Sequence, residues 1–150
     1  MPVSDNHKIN LHYEVDVDDF SSAGEASGDT KKVLKQLGVD PEVIRRVAIA
    51  MYEGEINMVI HANGGVADVE ISPEQIRVVL TDNGPGIQDI PLAMTEGYST
   101  ASDNVRELGF GAGMGLPNMK KYTDELNIET TIGKGTVVEM IINTVNEARV

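Results

Sequence analysis

The sequence predicts an α/β protein, a two-layer sandwich in which about three helices cover one face of a mixed sheet of about five strands. Two pairs of β-rich runs are each separated by a short turn, which is typical of hairpins. A clear helix start in the first third of the chain precedes apolar residues at helical spacing. The chain has 150 residues, of which 41% are hydrophobic, so it is long enough for one domain with one core.

The first elements are a strand and a less regular helix. Residues 8–15 alternate between apolar and polar side chains, as a half-buried strand does. A weaker helical pattern covers residues 18–38, with Asp19 or Ser21 as its candidate N-cap. Gly38 follows the last apolar position and is expected to end this helix.

The next elements have sharper boundaries. Asp40 and Pro41 form a capped helix start, and apolar residues then recur at helical spacing to about His61. A glycine-rich turn ends that helix. The β-rich runs 66–72 and 75–82 come next and predict the first hairpin.

A glycine-rich region separates this hairpin from the last elements. Residues 83–115 show little apolar periodicity, and a loop of this length in a compact domain is usually functional. A helix is expected over 114–126, and a second hairpin is expected from 127–132 and 136–142. The sequence thus predicts one domain over residues 1–150, with a frayed tail at 143–150.

Charge and composition exclude several classes of function. The formal net charge is −12, so the chain lacks the excess of cations with which proteins bind the nucleic-acid backbone. It has no cysteine, which excludes disulfides and thiol catalysis. No apolar run approaches the roughly 20 residues of a membrane-spanning helix, and residues 1–10 lack a signal core. A cytoplasmic protein that does not bind membranes is therefore expected.

The first candidate site segment lies on the long helix. Glu53, Asn57 and His61 follow one another at intervals of four, so they share one helical face beside an apolar stripe. A carboxylate and an amide on one face suit a general base and a ligand of a hard cation. An ordinary exposed polar face is an equally good reading of this segment alone.

The second segment, Asp82 to Ile87, directly follows a predicted strand. Asn83-Gly84-Pro85-Gly86 is a strong turn signal, and a plain turn is the simpler interpretation. However, an Asp at the end of a buried strand, followed by glycines, lets a flat ligand approach the backbone while the carboxylate accepts a hydrogen bond. The exocyclic amine of a purine is such a donor.

The third segment opens the next helix. Four glycines occupy every second position from Gly109 to Gly115, and Leu116 follows at once. Bare amides at a helix N-terminus favour an anion such as a polyphosphate. A flexible linker is less favoured, because helical periodicity resumes immediately. The spacing matches neither the dinucleotide fingerprint nor the P-loop.

Together and in this order, the three segments resemble the GHKL ATP-binding superfamily, which includes gyrase, Hsp90, histidine kinases and MutL. Glu53, Asn57 and His61-Ala62 resemble its N box, Asp82 to Ile87 its G1 box, and Gly109 to Leu116 its G2 box. Residues 133–136 resemble the turn that follows, so that the match covers about residues 40–142. The resemblance implies the Bergerat ATP-binding fold, with ATP and Mg²⁺ as cofactors.

The resemblance also implies roles for single residues. Glu53 would be the catalytic base and Asn57 the Mg²⁺ ligand, while Asp82 would accept the adenine amine with help from Gly86 and Thr136. Some kinases of the superfamily carry an Arg in the lid close before the G2 glycines, and the nearest candidate, Arg106, lies a few residues early. The residues implied in nucleotide binding are Asn57, Asp82, Gly84, Gly86, Ile87, Gly109, Gly111, Gly113, Met114, Gly115, Leu116 and Thr136.

The length of the chain points to one branch, because it leaves no room for a phospho-acceptor segment or a transducer domain. It is similar to the bacterial anti-sigma-factor serine/threonine kinases and the stressosome switch kinases, with residues 94–100 closer to the latter. This implies a kinase that phosphorylates a STAS-type antagonist and thereby controls a sigma factor or a phosphatase. A non-catalytic, nucleotide-gated partner-binding module and a detached histidine-kinase ATP domain are the alternatives. A homodimer through the first strand is also compatible.

Overall fold

The computed structural model describes residues 8–15, 24–61, 64–87, 94 and 115–144 of the chain. These residues form five strands and three helices, numbered separately along the chain. The strands are β1 (Ile9–Val15), β2 (Gly65–Ile71), β3 (Gln75–Asp82), β4 (Glu125–Thr131) and β5 (Gly135–Asn143). The helices are α1 (Glu25–Gln36), α2 (Pro41–His61) and α3 (Gly115–Tyr122).

The strands form one sheet in the order β1-β2-β3-β5-β4. All four pairings in the described part of the chain are antiparallel, so the α/β class is confirmed but the sheet is not mixed as expected. Two of the pairings are hairpins, and a turn of a few residues can join only antiparallel neighbours. Strand β5 also runs opposite to its other neighbour, β3.

The core lies between the sheet and the helices. Alternate residues of the three central strands, such as Val69, Val78 and Met140, are buried against the helices and lie side by side in the register. Their neighbours along each strand, such as Asp68, Val79 and Glu139, project from the opposite face and are at least partly exposed. In the described residues the helices therefore cover one face of the sheet, as predicted.

Helix α1 begins later than predicted but ends where the sequence indicates. It starts at Glu25, after Gly24 in a left-handed conformation, and no side chain of its own N-cap position caps it. Asp19 and Ser21, the expected caps, lie outside the described residues. At the other end Gly38 adopts φ +75° and donates its N–H to the Lys35 carbonyl, which closes the helix.

Helix α2 has the predicted bounds, whereas α3 is shorter than the predicted 114–126. Helix α3 ends at Tyr122, whose carbonyl accepts a hydrogen bond from Arg46 Nε of α2 at 3.1 Å. Leu126, which the helical pattern had included, instead pairs with Met140 in the sheet. Sheet pairing therefore overrides the local helical spacing at this point.

The carboxyl-terminal end of the described chain is bound to the first hairpin. Asn143 belongs to β5, and the Thr144 backbone N–H donates to the Glu74 carbonyl at 3.0 Å. The Thr144 hydroxyl also donates to the Pro73 carbonyl. The first two residues of the predicted tail are thus held in place, and residues 145–150 lie outside the described part. No described helix is both long and apolar enough to cross a membrane.

Candidate functional site

A close approach at Gly54 brings α2 against both β3 and α3. A Cβ built on Gly54 would lie 2.0 Å from Leu80 Cδ1 and 3.6 Å from Met119 Sδ. Leu80 and Met119 are both almost fully buried. The missing side chain at Gly54 therefore lets the middle of α2 rest on the sheet beside α3, and this places Glu53 next to the first turns of α3.

One turn further along, α2 reaches the end of β3. A Cβ on Gly65 would lie 2.8 Å from Met58 Sδ and 3.2 Å from the Cα of Asp82, which is the cross-strand partner of Gly65. Met58 directly follows Asn57. The helix segment that carries Glu53 and Asn57 and the strand end that carries Asp82 thus belong to one region, on the helix-covered side of the sheet.

Glu53 is a partly buried carboxylate in a hydrogen bond with Asn118 of α3. Loss of water around the side chain raises the pKa of Glu53 above its usual value, and the hydrogen bond from Asn118 offsets part of this rise. A carboxylate of raised pKa is a better proton acceptor than an exposed one. Asn118 was not predicted as a site residue, since a single amide between apolar neighbours gives no distinctive sequence signal.

Asp82 is fixed at the end of β3 by two backbone amides. Its Oδ1 accepts the Gly84 N–H at 2.9 Å and the Thr136 N–H of β5 at 3.2 Å. Within the described part of the chain, Oδ2 has no hydrogen-bond partner. The carboxylate is therefore held rigidly at one oxygen and can accept a ligand's hydrogen bond at the other.

The turn after β3 is fastened to the β4–β5 hairpin. The Ile87 N–H donates to Thr130 Oγ1 at 2.8 Å, and the Gly133 N–H donates to the Pro85 carbonyl at 2.9 Å. Gly86 has φ +85°, and a Cβ there would lie 2.9 Å from the Thr131 carbonyl oxygen. The glycine is thus required both for the backbone conformation and for the close packing of this turn.

Thr136 lies on the other side of the same carboxylate. It is buried, with 6% of its surface exposed, and its hydroxyl is 3.0 Å from the Thr130 hydroxyl. Gly135 before it has φ +140° and lies against the Asp82 backbone. The two threonines and Asp82 therefore form one network, which connects β3, β4 and β5 at the end of the sheet where Asn57 is expected to act.

The predicted site is only partly covered by the described residues. The side chain of His61, Arg106, and the glycine-rich residues Gly109, Gly111, Gly113 and Met114 lie outside the described part. Gly115 is the first residue of α3, and Leu116 is buried in the core that α3 shares with α2. The structure therefore brings together the N-box and G1-box residues and the start of α3, and the roles assigned to them remain predictions.

Glu55 is a second residue that the sequence did not predict, and it holds the start of α1 against α2. It is 2% exposed, and its carboxylate accepts the backbone N–H groups of Gly24, Ala26 and Ser27 at 3.0, 3.2 and 2.7 Å. These are the free amides at the start of α1, so Glu55 caps that helix from a distance of 28 residues or more along the chain. The sequence offers no signal for a cap supplied by another helix.

The described residues fit a bound purine nucleotide with its metal ion. Asp82 offers one free carboxylate oxygen beside tightly packed glycine backbone, which suits a flat base bearing an amine. Asn57 is partly exposed and carries an amide oxygen, a ligand type that Mg²⁺ accepts. The donor set therefore agrees with the cofactors that the resemblance implies.

Comparisons with known proteins agree with the fold and the motifs. Relatives include the serine/threonine-protein kinase RsbT of Bacillus subtilis (strain 168), 30% identical over 115 residues that cover 74% of this chain and 80% of that protein. The anti-sigma F factor of Thermoanaerobacter sp. (strain X514) is 36% identical over 110 residues, covering 70% of this chain and 73% of that protein.

A solved structure shows the same fold. It contains the RsbU and RsbW domains of a Mycobacterium tuberculosis protein, with a TM-score of 0.61 at 18% identity. The match covers 89% of this chain but only 31% of that longer chain. Residues 19–142 also match the family model of the histidine kinase-like ATPase domain. The GHKL resemblance is thereby confirmed, and the chain belongs to the family of histidine kinase-like ATPase domains.

Proposed function

We propose that this protein is an ATP-dependent protein serine/threonine kinase that phosphorylates a STAS-type antagonist protein and thereby regulates a sigma factor or a phosphatase. The observation that carries the proposal is Glu53, a partly buried carboxylate of raised pKa on the helix that packs against the Asp82 network. The relatives named a serine/threonine kinase and an anti-sigma factor support the choice of branch.

In this proposal the role of each residue follows from its position. Glu53 accepts the proton of the substrate hydroxyl as that oxygen attacks, and its limited contact with water favours the protonated product form. Asp82 Oδ2 accepts the adenine amine, while Gly86 and Thr136 hold the surrounding backbone in place. ATP and Mg²⁺, when bound, supply the transferred phosphoryl group and neutralise its charge, with Asn57 as the protein ligand of the metal.

Phosphate transfer to a purified partner tests the proposal. The protein is incubated with Mg²⁺, radiolabelled ATP and a STAS-domain partner, and the phosphorylated residue is identified by mass spectrometry. We expect acid-stable phosphoserine or phosphothreonine, and a loss of at least 100-fold in rate with Glu53→Gln. The matched control is Glu74→Gln, which removes an exposed carboxylate in the turn at the opposite end of β3. Acid-labile phosphate would instead favour the histidine-kinase alternative.

A second candidate function, nucleotide-gated partner binding without catalysis, is favoured by the relatives named anti-sigma F factor. A ligand that binds two conformations unequally shifts the population between them, and this alone can control a partner. Substitution of Glu53 distinguishes the two functions. If no phosphoserine or phosphothreonine appears and Glu53→Gln leaves nucleotide-dependent partner binding unchanged, the kinase proposal fails and the binding module stands.

The proposal also covers the cellular location and the oligomeric state of the protein. We place the protein in the cytoplasm, where ATP and such partners occur. Strand β1 forms one edge of the described sheet, so its backbone could pair with a second copy. Near this edge, Lys8 and His12 contact Glu70 and Asp68 of the neighbouring strand β2. Light scattering with and without the partner protein distinguishes a monomer from a homodimer.

A further inference from the structure

We propose that Asn118 is a positioning residue that holds the Glu53 carboxylate in the orientation needed to accept the substrate proton. The inference rests on the proposed kinase function and deepens it. In addition to any contribution that α3 makes to nucleotide binding, a residue of this helix orients the base on α2. The residue is one that the motifs of the sequence do not mark.

The packing of the two helices fixes which residues face each other. A Cβ on Gly54 would lie only 3.6 Å from Met119 Sδ, so α2 and α3 approach closely at this level, and the Asn118 side chain forms a hydrogen bond with Glu53 there. Further along, Arg46 of α2 donates to the Tyr122 carbonyl at 3.1 Å and pairs with Asp124 at 3.3 Å. Helix α3 is thus attached to α2 at two levels, and Asn118 cannot shift without disturbing a buried contact.

The chemistry of the pair suits a positioning role. An Asn side chain donates through its amide nitrogen, and a carboxylate accepts such a bond without losing its negative charge. A Glu side chain has three rotatable bonds, so an exposed glutamate samples many orientations. A single directional donor selects one of them while leaving the other lone pairs free for the substrate hydroxyl.

The hydrogen bond also affects the pKa of Glu53, whereas a side chain that only filled space would not. The bond stabilises the charged carboxylate and lowers the pKa of Glu53, against the desolvation that raises it. Removing the donor therefore raises the pKa of the base further. A residue that merely filled space between the helices would change stability or overall rate but leave the pH dependence where it was.

Three variants test the inference in the full-length protein. Asn118→Ala removes the donor, and Asn118→Gln keeps an amide on a longer side chain. Asn127→Ala is the matched control, since Asn127 Nδ2 also donates to a carboxylate, Glu139, at 2.9 Å, but on the exposed face of the sheet. Alanine is the best helix former, so Asn118→Ala is not expected to weaken α3. Thermal unfolding of each variant verifies this.

We expect Asn118→Ala to lower kcat by roughly 10- to 100-fold, as small misplacements of catalytic groups do. In Asn118→Ala, the acidic limb of the pH profile of kcat/KM is expected to move to higher pH. Asn118→Gln should restore part of both, and Asn127→Ala should change neither. An unchanged acidic limb in Asn118→Ala, in a protein that remains folded and active, would overturn the inference.

A measurement without catalysis separates this inference from the proposed function. The carboxyl carbon of Glu53 is followed by NMR through a pH titration, with Glu53→Gln identifying its signal. We expect its midpoint to lie at higher pH in Asn118→Ala than in the wild type and in Asn127→Ala. If the midpoint moves but no phosphate transfer occurs, the kinase proposal fails and the Glu53–Asn118 bond stands. If it does not move, the positioning role is wrong, whatever the activity.

Discussion

Replacement of Gly135 by alanine tests how the carboxylate of Asp82 is held. The added Cβ would lie 2.0 Å from the Asp82 carbonyl oxygen, 3.0 Å from its carbonyl carbon and 3.1 Å from the Asn83 Cα. All three are backbone atoms of the strand end that carries the site, so no side-chain rotation can relieve the overlap. Gly135 also has φ +140°, a backbone conformation that residues with a side chain rarely adopt.

The two effects can be given magnitudes. A residue with a side chain held in such a conformation costs about 1–3 kcal/mol, and overpacking costs about 1–3 kcal/mol. We therefore expect Gly135→Ala to lower the free energy of unfolding by about 4 kcal/mol. Gly133→Ala is the matched control in the same turn, because Gly133 has φ +80° but no atom within 4 Å of an added Cβ. It should cost only about 1–2 kcal/mol.

Urea denaturation followed by circular dichroism measures both variants, and calorimetry with ATP measures the site. The Thr136 N–H, one residue on, donates to Asp82 Oδ1, so displacement of Gly135 should also weaken nucleotide binding. Gly133→Ala should leave the affinity near that of the wild type. Equal losses of stability in the two variants, with equal affinities, would refute the packing argument.

Three further predictions concern carboxylates. Since the pKa of Glu53 is raised, ionisation costs more in the folded chain, and stability falls as the pH rises from the usual value of 4.5 through the folded pKa. Glu53→Gln should therefore stabilise the protein at pH 7 but not below pH 4.5, as measured by thermal unfolding; equal effects at both would contradict this. Glu55→Ala leaves three backbone amides, two of them in buried hydrogen bonds, without their acceptor and should cost about 3–5 kcal/mol in urea denaturation. A loss below 1 kcal/mol would show that the cap is not formed. The hydrogen bond from Arg77, and then that from Asn127, lowers the pKa of Glu139, so the stability that the Arg77 pair provides is present above pH 4.5 and is lost as the pH falls through the folded pKa. Because both side chains are partly exposed, Arg77→Ala should cost less than about 1 kcal/mol at pH 7, and a larger loss would contradict this.

The elements that the sequence predicted well are those whose signals are local. The start of α2 at Pro41 and the end of α1 before Gly38 depend on one or two residues with restricted or unusual backbone preferences. The β-rich run 75–82 next to a short turn predicted β3 with the bounds that the structure shows. Glu53 and Asn57 were predicted to share a face from their spacing alone, and both are partly exposed on α2.

The features that were missed depend on residues far apart in the chain. Helix α3 ends at Tyr122 because Leu126 is taken into the sheet opposite Met140, a preference that the local helical pattern does not contain. The cap of α1 comes from Glu55, and the partner of Glu53 comes from Asn118. Each of these contacts exists only after the helices have packed, so neither propensity nor periodicity could predict it.

One turn of α2 connects the stability of the fold with its chemistry. Successive residues point about 100° apart around a helix, so Glu53, Gly54 and Glu55 face three different neighbours. Gly54 rests on Leu80 of the sheet, and Glu55 caps α1. These two contacts fix both the rotation and the depth of α2, and so they determine how far Glu53 is withdrawn from water. The raised pKa of Glu53 is therefore a product of its neighbours' packing, and substitutions at Gly54 or Glu55 should alter the pH dependence of the protein without touching the base itself.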